Sequence, residues 1–304
     1  MTGGGEPLPF ERLRLLLDAL GLGMEQTMRR LGERPSLPAL RDWIVATAGV
    51  PDPDRLARYH AALAGDRPPP ATAAMLAAID AAPPVLDADD LAHWDEHGYV
   101  VVRAAIDRAA AANAAALVWQ HLGASPDDPD SWYAAGNIWV PIYQHPALEV
   151  ARRSPRVHKA FAQLWGTADL WMSHDKMSFN PPERAGYQFQ GSPLHWDISL
   201  AQPIPFGTAG ILYLTDTAAD QGAFRLVPGF HHGLADWLDH LGDADPRQIP
   251  LGDRAVSVAA NAGDLIVWRL DLPHGASPNT ADRPRLAQYL NMYPARWRAN
   301  PVWR

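Results

Sequence analysis

The sequence predicts a mainly β domain of the sandwich or jelly-roll type with flanking helices, preceded by a helical N-terminal extension. Short apolar segments punctuated by Gly, Pro, Asn and Asp recur after Gly166, as expected of many short strands joined by turns. In the first part of the chain apolar residues have helical spacing instead, and the proline-rich segments 65–70 and 81–85 end this part. Because 304 residues suffice for one large domain with an appendage, we divide the chain at 1–85 and 86–304.

The N-terminal extension is predicted to consist of helices. The first helix covers residues 10–31, and Gly21 is a stop signal within this segment. The residues at helical spacing are Leu13, Leu16, Leu17 and Leu20. Further short helices are predicted around Trp43, Ile44 and Tyr59. The extension is a candidate for shaping a substrate entrance or for forming a homodimer contact.

The larger segment opens with a helix and a strand. Asp87 is the predicted N-cap, Leu91 and Trp94 form an apolar stripe, and Gly98 ends the helix before the strand YVVV, 99–102. The remaining elements are helices over 107–123 and 156–165, a turn into a helix at 226–233, and strands near 170–179, 194–200, 208–216, 223–227, 255–259, 264–270 and 285–293.

Composition excludes several kinds of site. The chain has no cysteine, so disulfides, thiolate zinc sites and iron–sulfur clusters are excluded, and a metal ion would need His, Asp or Glu ligands. The formal charge of −8 argues against nucleic acid as a partner. No segment is long and apolar enough to span a membrane, and the first residues do not resemble a signal peptide, so we expect a cytoplasmic protein.

The segment LHWD contains the most informative motif. Successive side chains of a strand alternate between its faces, so His195 and Asp197 are predicted to share one face while Trp196 points the other way. His274, in LDLPHGASPN at the predicted end of a strand, is the best third ligand. Two histidines and one carboxylate leave three open positions on a metal ion, which suits non-haem Fe(II).

Other interpretations of the motif remain open. A His–x–Asp pair can also be a hydrogen-bonded pair without any metal ion. His231, His232 and His240 are alternative third ligands, although they lie in a predicted loop or helix and are expected to face solvent.

From Leu91 to Tyr293 the sequence resembles the phytanoyl-CoA dioxygenase family of iron- and 2-oxoglutarate-dependent oxygenases. Five segments are similar to family motifs and follow the family's order: HWDEHGYVVV, KMSFNPP, LHWD, GAFRLVPGFHHG and GDLIVWRLDLPHGASPN. The resemblance implies a double-stranded β-helix with Fe(II) bound at its mouth by His195, Asp197 and His274. Related halogenases have Ala or Gly in place of the metal carboxylate, so the resemblance and Asp197 together imply a hydroxylase rather than a halogenase.

The resemblance also implies 2-oxoglutarate and O2 as co-substrates. An arginine fork matches a carboxylate, and the family places this arginine eleven residues after the second metal histidine, which is Arg285 here. Arg283 is a close alternative. Ser178 and Lys176, on the strand 170–179, are further candidates for contacts with 2-oxoglutarate, but Lys176 and His174 fit the outer face of this strand nearly as well.

One position departs from the family pattern. The family often has a hydroxyl residue two positions after the second metal histidine, whereas Ala276 stands here, with Ser277 beside it. The expected lid is 182–193, with Tyr187, Gln188 and Gln190 as candidate substrate contacts. Trp139 and Tyr143 are candidates for the cleft wall.

The sequence thus predicts an Fe(II)- and 2-oxoglutarate-dependent dioxygenase that hydroxylates an aliphatic C–H bond and releases succinate and CO2. The expected substrate is a small molecule derived from secondary, lipid or amino-acid metabolism. Two alternatives stay open: a cupin-like metalloenzyme that does not use 2-oxoglutarate, and a jelly-roll binding protein without catalytic activity.

Overall fold

The computed structural model describes residues 8–134, 137–191 and 193–304. Residues 1–7 of the predicted extension and Ser192 of the predicted lid lie outside this part. The described chain contains the following α-helices: α1 (Phe10–Leu20), α2 (Met24–Gly32), α3 (Leu37–Ala48), α4 (Pro53–Ala64), α5 (Pro70–Ala81), α6 (Ala88–His97), α7 (Arg108–Leu122), α8 (Pro146–Arg152), α9 (Pro155–Trp165) and α10 (Phe230–Leu241). No helix in these ranges combines the length and the apolarity needed to cross a membrane.

The prediction of one helix over 10–31 was wrong, since the structure has two separate helices there. Gly21 adopts φ +67° and ends α1, with its N–H bonded to the Asp18 carbonyl oxygen. This left-handed conformation is strained for residues with a Cβ, which is why glycine stops a helix at this position. The chain then turns, and α2 begins after Gly23 as a separate helix.

The strands are short and form antiparallel sheets. They are β1 (Tyr99–Val102), β2 (Trp139–Val140), β3 (Leu170–Met172), β4 (Met177–Asn180), β5 (Thr208–Tyr213), β6 (Phe224–Leu226), β7 (Val256–Ser257), β8 (Leu265–Arg269), β9 (His274–Ala276), β10 (Arg285–Leu290) and β11 (Met292–Pro294). A six-stranded sheet has the order β1-β8-β5-β10-β4-β2, a three-stranded sheet the order β7-β6-β9, and β11 pairs with β3.

Two predicted strands are each divided between sheets. The segment 170–179 forms β3 and β4, and the segment 285–293 forms β10 and β11. The break is a shared corner, where the Ser173 N–H donates to the Asn291 carbonyl oxygen at 2.8 Å and the Asn291 N–H donates to the Ser173 hydroxyl at 3.0 Å. The paired strands bend together, so β3 and β11 leave the large sheet as a separate ladder.

The segment 194–200 was predicted to be a strand, and this was wrong. Only His195 forms a β-bridge, with His274, and the residues after it belong to no strand. The carbonyl groups of Trp196 and Ile198 are bonded by the Arg247 side chain instead of a neighbouring strand. The alternation of side chains therefore cannot be inferred from strand geometry here.

The large sheet has an apolar cluster on each of its two faces. Leu212, Leu265 and Leu286 pack on one face against helices that include α7 and α9. Ile211 and Ile266 face the other way, toward the three-stranded sheet and α10. The fold is a mixed fold of helices and antiparallel sheets, and its helices cover more of the described chain than its strands do, which is more helix than the predicted mainly β class.

The N-terminal helices pack directly on the sheet region. A third cluster joins Leu15 and Ala19 of α1 with Tyr59, Trp171 and Tyr293. Helix α5 also contacts α9. The division at residues 85 and 86 stays a prediction, but the helical extension covers one end of the domain and contributes to the cavity described below.

Candidate metal centre

Three side chains that the sequence singled out meet at one point. Ligand atoms of His195, Asp197 and His274 all lie within 4.8 Å of one another. The His195 Nε2 atom is 3.4 Å from Asp197 Oδ1, and the His274 Nε2 atom is 3.1 Å from Asp197 Oδ2. The structure thus brings together, from segments far apart in sequence, two imidazoles and a carboxylate.

The two histidines are neighbours through their backbones. The His195 N–H donates to the His274 carbonyl oxygen at 2.9 Å, and the His274 N–H donates back to His195 at 3.0 Å. The third ligand was predicted to come from a strand that faces the first across a barrel and to lie at a strand end. Instead, His274 begins β9, which pairs with β6 along one edge, so the other edge is open for the direct pairing of His274 with His195.

Both imidazole rings are oriented by main-chain carbonyl groups. The His195 Nδ1 atom lies 2.7 Å from the Pro193 carbonyl oxygen, and the His274 Nδ1 atom lies 3.0 Å from the Leu272 carbonyl oxygen. A carbonyl oxygen only accepts hydrogen bonds, so each Nδ1 carries the proton. Each Nε2 is then directed at Asp197 with a lone pair available, as in a metal-binding histidine whose other nitrogen is held by a carbonyl.

The electrostatics of the cluster favour a positive charge between these atoms. Burial raises the pKa of Asp197, but hydrogen bonds with His195 and His274 outweigh it and hold this pKa far below its ordinary value. Burial lowers the pKa of His195, whereas Asp197 and the Pro193 carbonyl raise it more, so the net shift is upward. Two lone-pair nitrogens and an ionised carboxylate at 3.1–3.4 Å need a proton or a metal cation between them.

Arg247 holds the backbone on both sides of Asp197. Its Nη1 atom donates to the Trp196 carbonyl oxygen at 2.8 Å, and its Nη2 atom donates to the Ile198 carbonyl oxygen at 2.6 Å. One rigid guanidinium therefore fixes the carbonyl groups of the residues immediately before and after Asp197. Trp196 is buried and its indole N–H donates to the Asp271 carbonyl oxygen, so it points away from the cluster as predicted.

The alternative histidines do not join this cluster. Rings of His231 and His232 lie against the Asp95 and Glu96 carbonyl oxygens, and the His240 ring lies against Asp236 within its own helix. All three belong to α10. Within the described ranges, the set His195, Asp197 and His274 is the group of three ligand residues that can hold one metal ion.

A cavity of about 780 Å³ opens beside the three side chains. The His274 side chain is 4% exposed, whereas that of Asp197 is 55% exposed, so the cluster has one protected and one open side. The volume falls within the range of roughly 300–1,000 Å³ typical of small-molecule sites. A metal ion held here would keep free positions that face the cavity.

The walls of the cavity include elements that sequence reasoning assigned to the site and others that it missed. Trp139 and Tyr143 line the cavity as expected, whereas Tyr187, Gln188 and Gln190 of the predicted lid are not among its lining residues. The missed residues are Phe10, Arg14 and Leu17 of α1 together with Trp297 and Trp303 of the C-terminal segment. The spacing i, i+4, i+7 of the first three was a usable signal, since it marks one helix face.

Arg285 is a fully buried cation, and neither it nor Ser178 is among the residues that line the cavity. Its Nε atom donates to the Gly222 carbonyl oxygen at 3.0 Å, its Nη1 atom donates to the Ser178 hydroxyl, and its Nη2 atom is buried without a hydrogen-bond partner. No described carboxylate lies within 4.0 Å of the guanidinium. The nearby Asn180 Oδ1 atom also lacks a partner. A buried guanidinium with a free donor fits a carboxylate from outside the chain.

The other predicted contacts of 2-oxoglutarate occupy different surroundings. Lys176 lines the cavity, but its ammonium is 2.5 Å from a Glu25 carboxylate oxygen and 4.5 Å from the Trp139 ring centroid. The Ser277 hydroxyl donates to the Ala223 carbonyl oxygen at 3.0 Å. Arg283 is exposed and donates to the Pro126 carbonyl oxygen, so the buried arginine of the two is Arg285.

Antiparallel sheets that carry two histidines and one aspartate on the wall of a cavity define the class of a candidate mononuclear metal protein. The chain belongs to the phytanoyl-CoA dioxygenase (PhyH) family, whose model matches residues 94–287. This match confirms the family predicted from the sequence motifs, and it includes all three residues of the cluster.

Individual relatives are distant. A Dictyostelium discoideum protein, whose name provisionally describes it as a phytanoyl-CoA dioxygenase, is 22% identical over 195 residues, which are 51% of this chain and 55% of that protein. Dioxygenase cdmA of Talaromyces verruculosus is 32% identical over 129 residues, which are 41% of each chain. The chain spans about half the length of these curated relatives.

Among solved structures, the non-heme alpha ketoglutarate dependent epimerase SnoN from nogalamycin biosynthesis is 18% identical. The similarity covers 72% of this chain and 84% of that chain, with a TM-score of 0.47. At this level the similarity does not transfer a reaction or a substrate.

Proposed function

We propose that the protein is an Fe(II)- and 2-oxoglutarate-dependent dioxygenase that acts on a small molecule. The observation that carries the proposal is the cluster of His195, Asp197 and His274, with both Nδ1 atoms held by carbonyl groups and both Nε2 atoms directed at one point. Family membership supports the same class of enzyme. We also propose that the two main sheets form the double-stranded β-helix core of this class.

The donor set fits iron. Two neutral imidazole nitrogens and one carboxylate suit a non-haem Fe(II) ion that must keep positions open for co-substrates. When bound with 2-oxoglutarate and O2, iron supplies the oxidising power to attack an unactivated C–H bond, with release of succinate and CO2. The chain's own part is to hold the metal through His195, Asp197 and His274 and to keep the open side toward the cavity.

Arg285 and Ser178 are proposed to bind the far carboxylate of 2-oxoglutarate. The free Nη2 donor of Arg285 is the group that such a carboxylate would satisfy, and Ser178 fixes the guanidinium by accepting from Nη1. Lys176 is proposed as a further contact, and it would have to leave Glu25 to take part.

We propose hydroxylation as the outcome. Asp197 stands where related halogenases have Ala or Gly, so its carboxylate would hold the metal ion in place of a halide, and halogenation is disfavoured at this site. The largely apolar cavity suits a substrate with an apolar body, such as one from secondary, lipid or amino-acid metabolism.

An anaerobic titration tests the proposal. Metal-free protein is titrated with Fe(II) and then with 2-oxoglutarate, and a weak visible charge-transfer band should appear only when both are present. His274→Ala should abolish the band because one ligand is lost, whereas His232→Ala should retain it because that ring lies on α10, outside the cluster.

The same titration separates the two alternatives. Stoichiometric iron binding without the band would indicate a cupin-like metalloenzyme that does not use 2-oxoglutarate. Protein that binds no iron would indicate a binding protein without catalytic activity. A second comparison, Arg285→Met against Arg283→Met, should weaken binding of 2-oxoglutarate in the first variant only, since Arg283 is exposed.

A further inference from the structure

Arg14 is an unusual residue on the cavity wall. It lies on α1 between Phe10 and Leu17, and all three line the cavity that the candidate metal centre opens into. Its guanidinium carbon lies 3.3 Å from the Tyr293 ring centroid, 4.6 Å from that of Trp297 and 5.7 Å from that of Phe10. The cation is therefore held in place by aromatic rings.

This cation has no carboxylate partner in the part of the chain that the structure describes. In residues 8–134, 137–191 and 193–304 no carboxylate lies within 4.0 Å of the Arg14 guanidinium. Arg58 and Arg269, which are also partly buried, do have one: Arg58 lies 2.7 Å from Asp169, and Arg269 lies 2.7 Å from Asp271. Burial lowers the pKa of Arg14, and Tyr293, followed by the more distant acids Asp175 and Glu11, only partly offsets this effect.

The rest of the cavity leaves Arg14 available for a ligand. Lys176, another cation on the same wall, is already paired with Glu25. The lining is otherwise largely apolar, with Trp139, Phe224 and Trp268 among its aromatic members. In partly buried surroundings a guanidinium without a nearby carboxylate attracts an anion more strongly than it would in water, because the protein screens the two charges less.

We propose that Arg14 binds a carboxylate of the substrate, so that the substrate is a carboxylic acid with a mainly apolar body. A guanidinium and a carboxylate match in a two-bond fork, and the stacked rings hold the fork in one orientation. A phosphate dianion carries two negative charges, of which this single arginine would neutralise one. The inference rests on the proposed function, since the reacting end of the acid would face the metal centre.

A matched panel of ligands tests the proposal. Protein loaded with Ni(II) and saturating 2-oxoglutarate is titrated with saturated and aryl-substituted monocarboxylic acids of increasing length, each compared with its primary amide. Because 2-oxoglutarate is saturating, the acids cannot bind by replacing it at Arg285. At least one acid should bind about tenfold more tightly than its amide, as expected of a charge-assisted contact in place of a neutral one.

Variants assign this preference to Arg14. Arg14→Met should remove the preference for the acid, Arg14→Lys should retain part of it, and Arg12→Met, on the exposed side of the same helix, should retain all of it. A panel without any preference for acids, or a preference that persists in Arg14→Met, would overturn the proposal and leave Arg14 as a structural clamp between α1 and the C-terminal segment.

The result is separable from the test of iron and 2-oxoglutarate. Arg14→Met should keep the charge-transfer band of the anaerobic titration, since Arg14 contacts none of the three metal-binding candidates. Absence of that band in the unmodified protein would overturn the proposed function, whereas loss of the acid preference in Arg14→Met is measured with Ni(II) and stands independently.

Discussion

At the scale of single residues, the site depends on groups that hold the metal-binding candidates as well as on the candidates themselves. Main-chain carbonyls of Pro193 and Leu272 set the tautomers of the two histidines. Arg247 fixes the peptide units around Asp197 by donating hydrogen bonds to their carbonyl groups. These supporting contacts matter because metal affinity depends on ligands that are already oriented before the ion binds.

Arg247→Met should weaken metal binding while the fold persists. The substitution leaves the Trp196 and Ile198 carbonyls without their donors, so Asp197 becomes free to move. We expect the affinity for Ni(II) or Fe(II) to fall by about 10- to 100-fold, the range found when contacts behind metal ligands are removed. Isothermal titration calorimetry on metal-free protein measures this change.

Two comparisons show whether the effect is one of positioning. Arg254→Met, in the same part of the chain, should leave metal affinity unchanged because Arg254 contacts the Phe230 ring and not the segment around Asp197. Arg247→Lys should recover part of the affinity. Equal metal affinities in the Arg247→Met variant and the unmodified protein would show that the hydrogen bonds of Arg247 do not matter for the metal centre.

At the scale of elements, the N-terminal helices form part of the cavity. Helix α1 contributes Phe10, Arg14 and Leu17, and α2 follows directly after Gly23, where the backbone passes close to Tyr143. A Cβ at residue 23 would lie 2.4 Å from a ring carbon of Tyr143 and 2.6 Å from the His174 carbonyl oxygen. Glycine at this position allows the two helices to lie against the cavity wall.

Gly23→Ala should destabilise the protein and disturb the cavity. The added methyl group meets backbone and a buried ring, so α2 has to shift, and we expect a loss of about 1–3 kcal/mol in the free energy of unfolding. Gly32→Ala is the matched control in the same helix, since no atom lies within 4 Å of its Cβ. Chemical denaturation compares them, and equal stability of the two variants would contradict the close approach.

The helices and strands also show which elements the spacing of apolar residues could predict. The helices around Trp94 and over 107–123 and 156–165 are confirmed, with Asp87 as N-cap and Gly98 as C-cap. Strand existence was predicted well for β1, β5, β6, β8 and β10, but not for the segment 194–200. Local patterns indicate an extended backbone, whereas a strand also needs a hydrogen-bonding neighbour, and that neighbour is remote in sequence.

At the scale of the whole molecule, the helical extension is fastened to the sheets by a buried polar contact. The carboxylate of Asp18, on α1, accepts a hydrogen bond from the Met172 N–H at 3.1 Å and lies 3.5 Å from His174 Nε2. Burial raises the pKa of Asp18, but His174, Arg55 and Arg58 together lower it more, so the net shift is downward. The extension and the sheet region should therefore unfold together near neutral pH.

This shift predicts a pH dependence of stability. A carboxyl group whose pKa is lower in the folded state stabilises the fold above its unfolded pKa of about 3.9, and this contribution is lost as pH falls toward the folded value. Stability of the unmodified protein should therefore fall below about pH 4, and Asp18→Asn should lose less over the same interval. Denaturation midpoints across this range measure the difference, and parallel curves would contradict it.

The sequence by itself determined the family of this protein and restricted the chemistry of a metal site. Because the chain has no cysteine, a metal site can use only His, Asp and Glu as ligands. The motifs around His195 and His274 identified the family and the candidate ligands, since the type of a ligand residue is visible in the sequence without the fold. Only the tertiary structure decided the rest: that His195 and His274 pair directly, that Arg247 holds the backbone around Asp197, and that Arg14 lines the cavity without a carboxylate partner among the described residues. These contacts join segments separated by tens to hundreds of residues, and no local pattern encodes a distance between two parts of the chain that only the packed fold brings together.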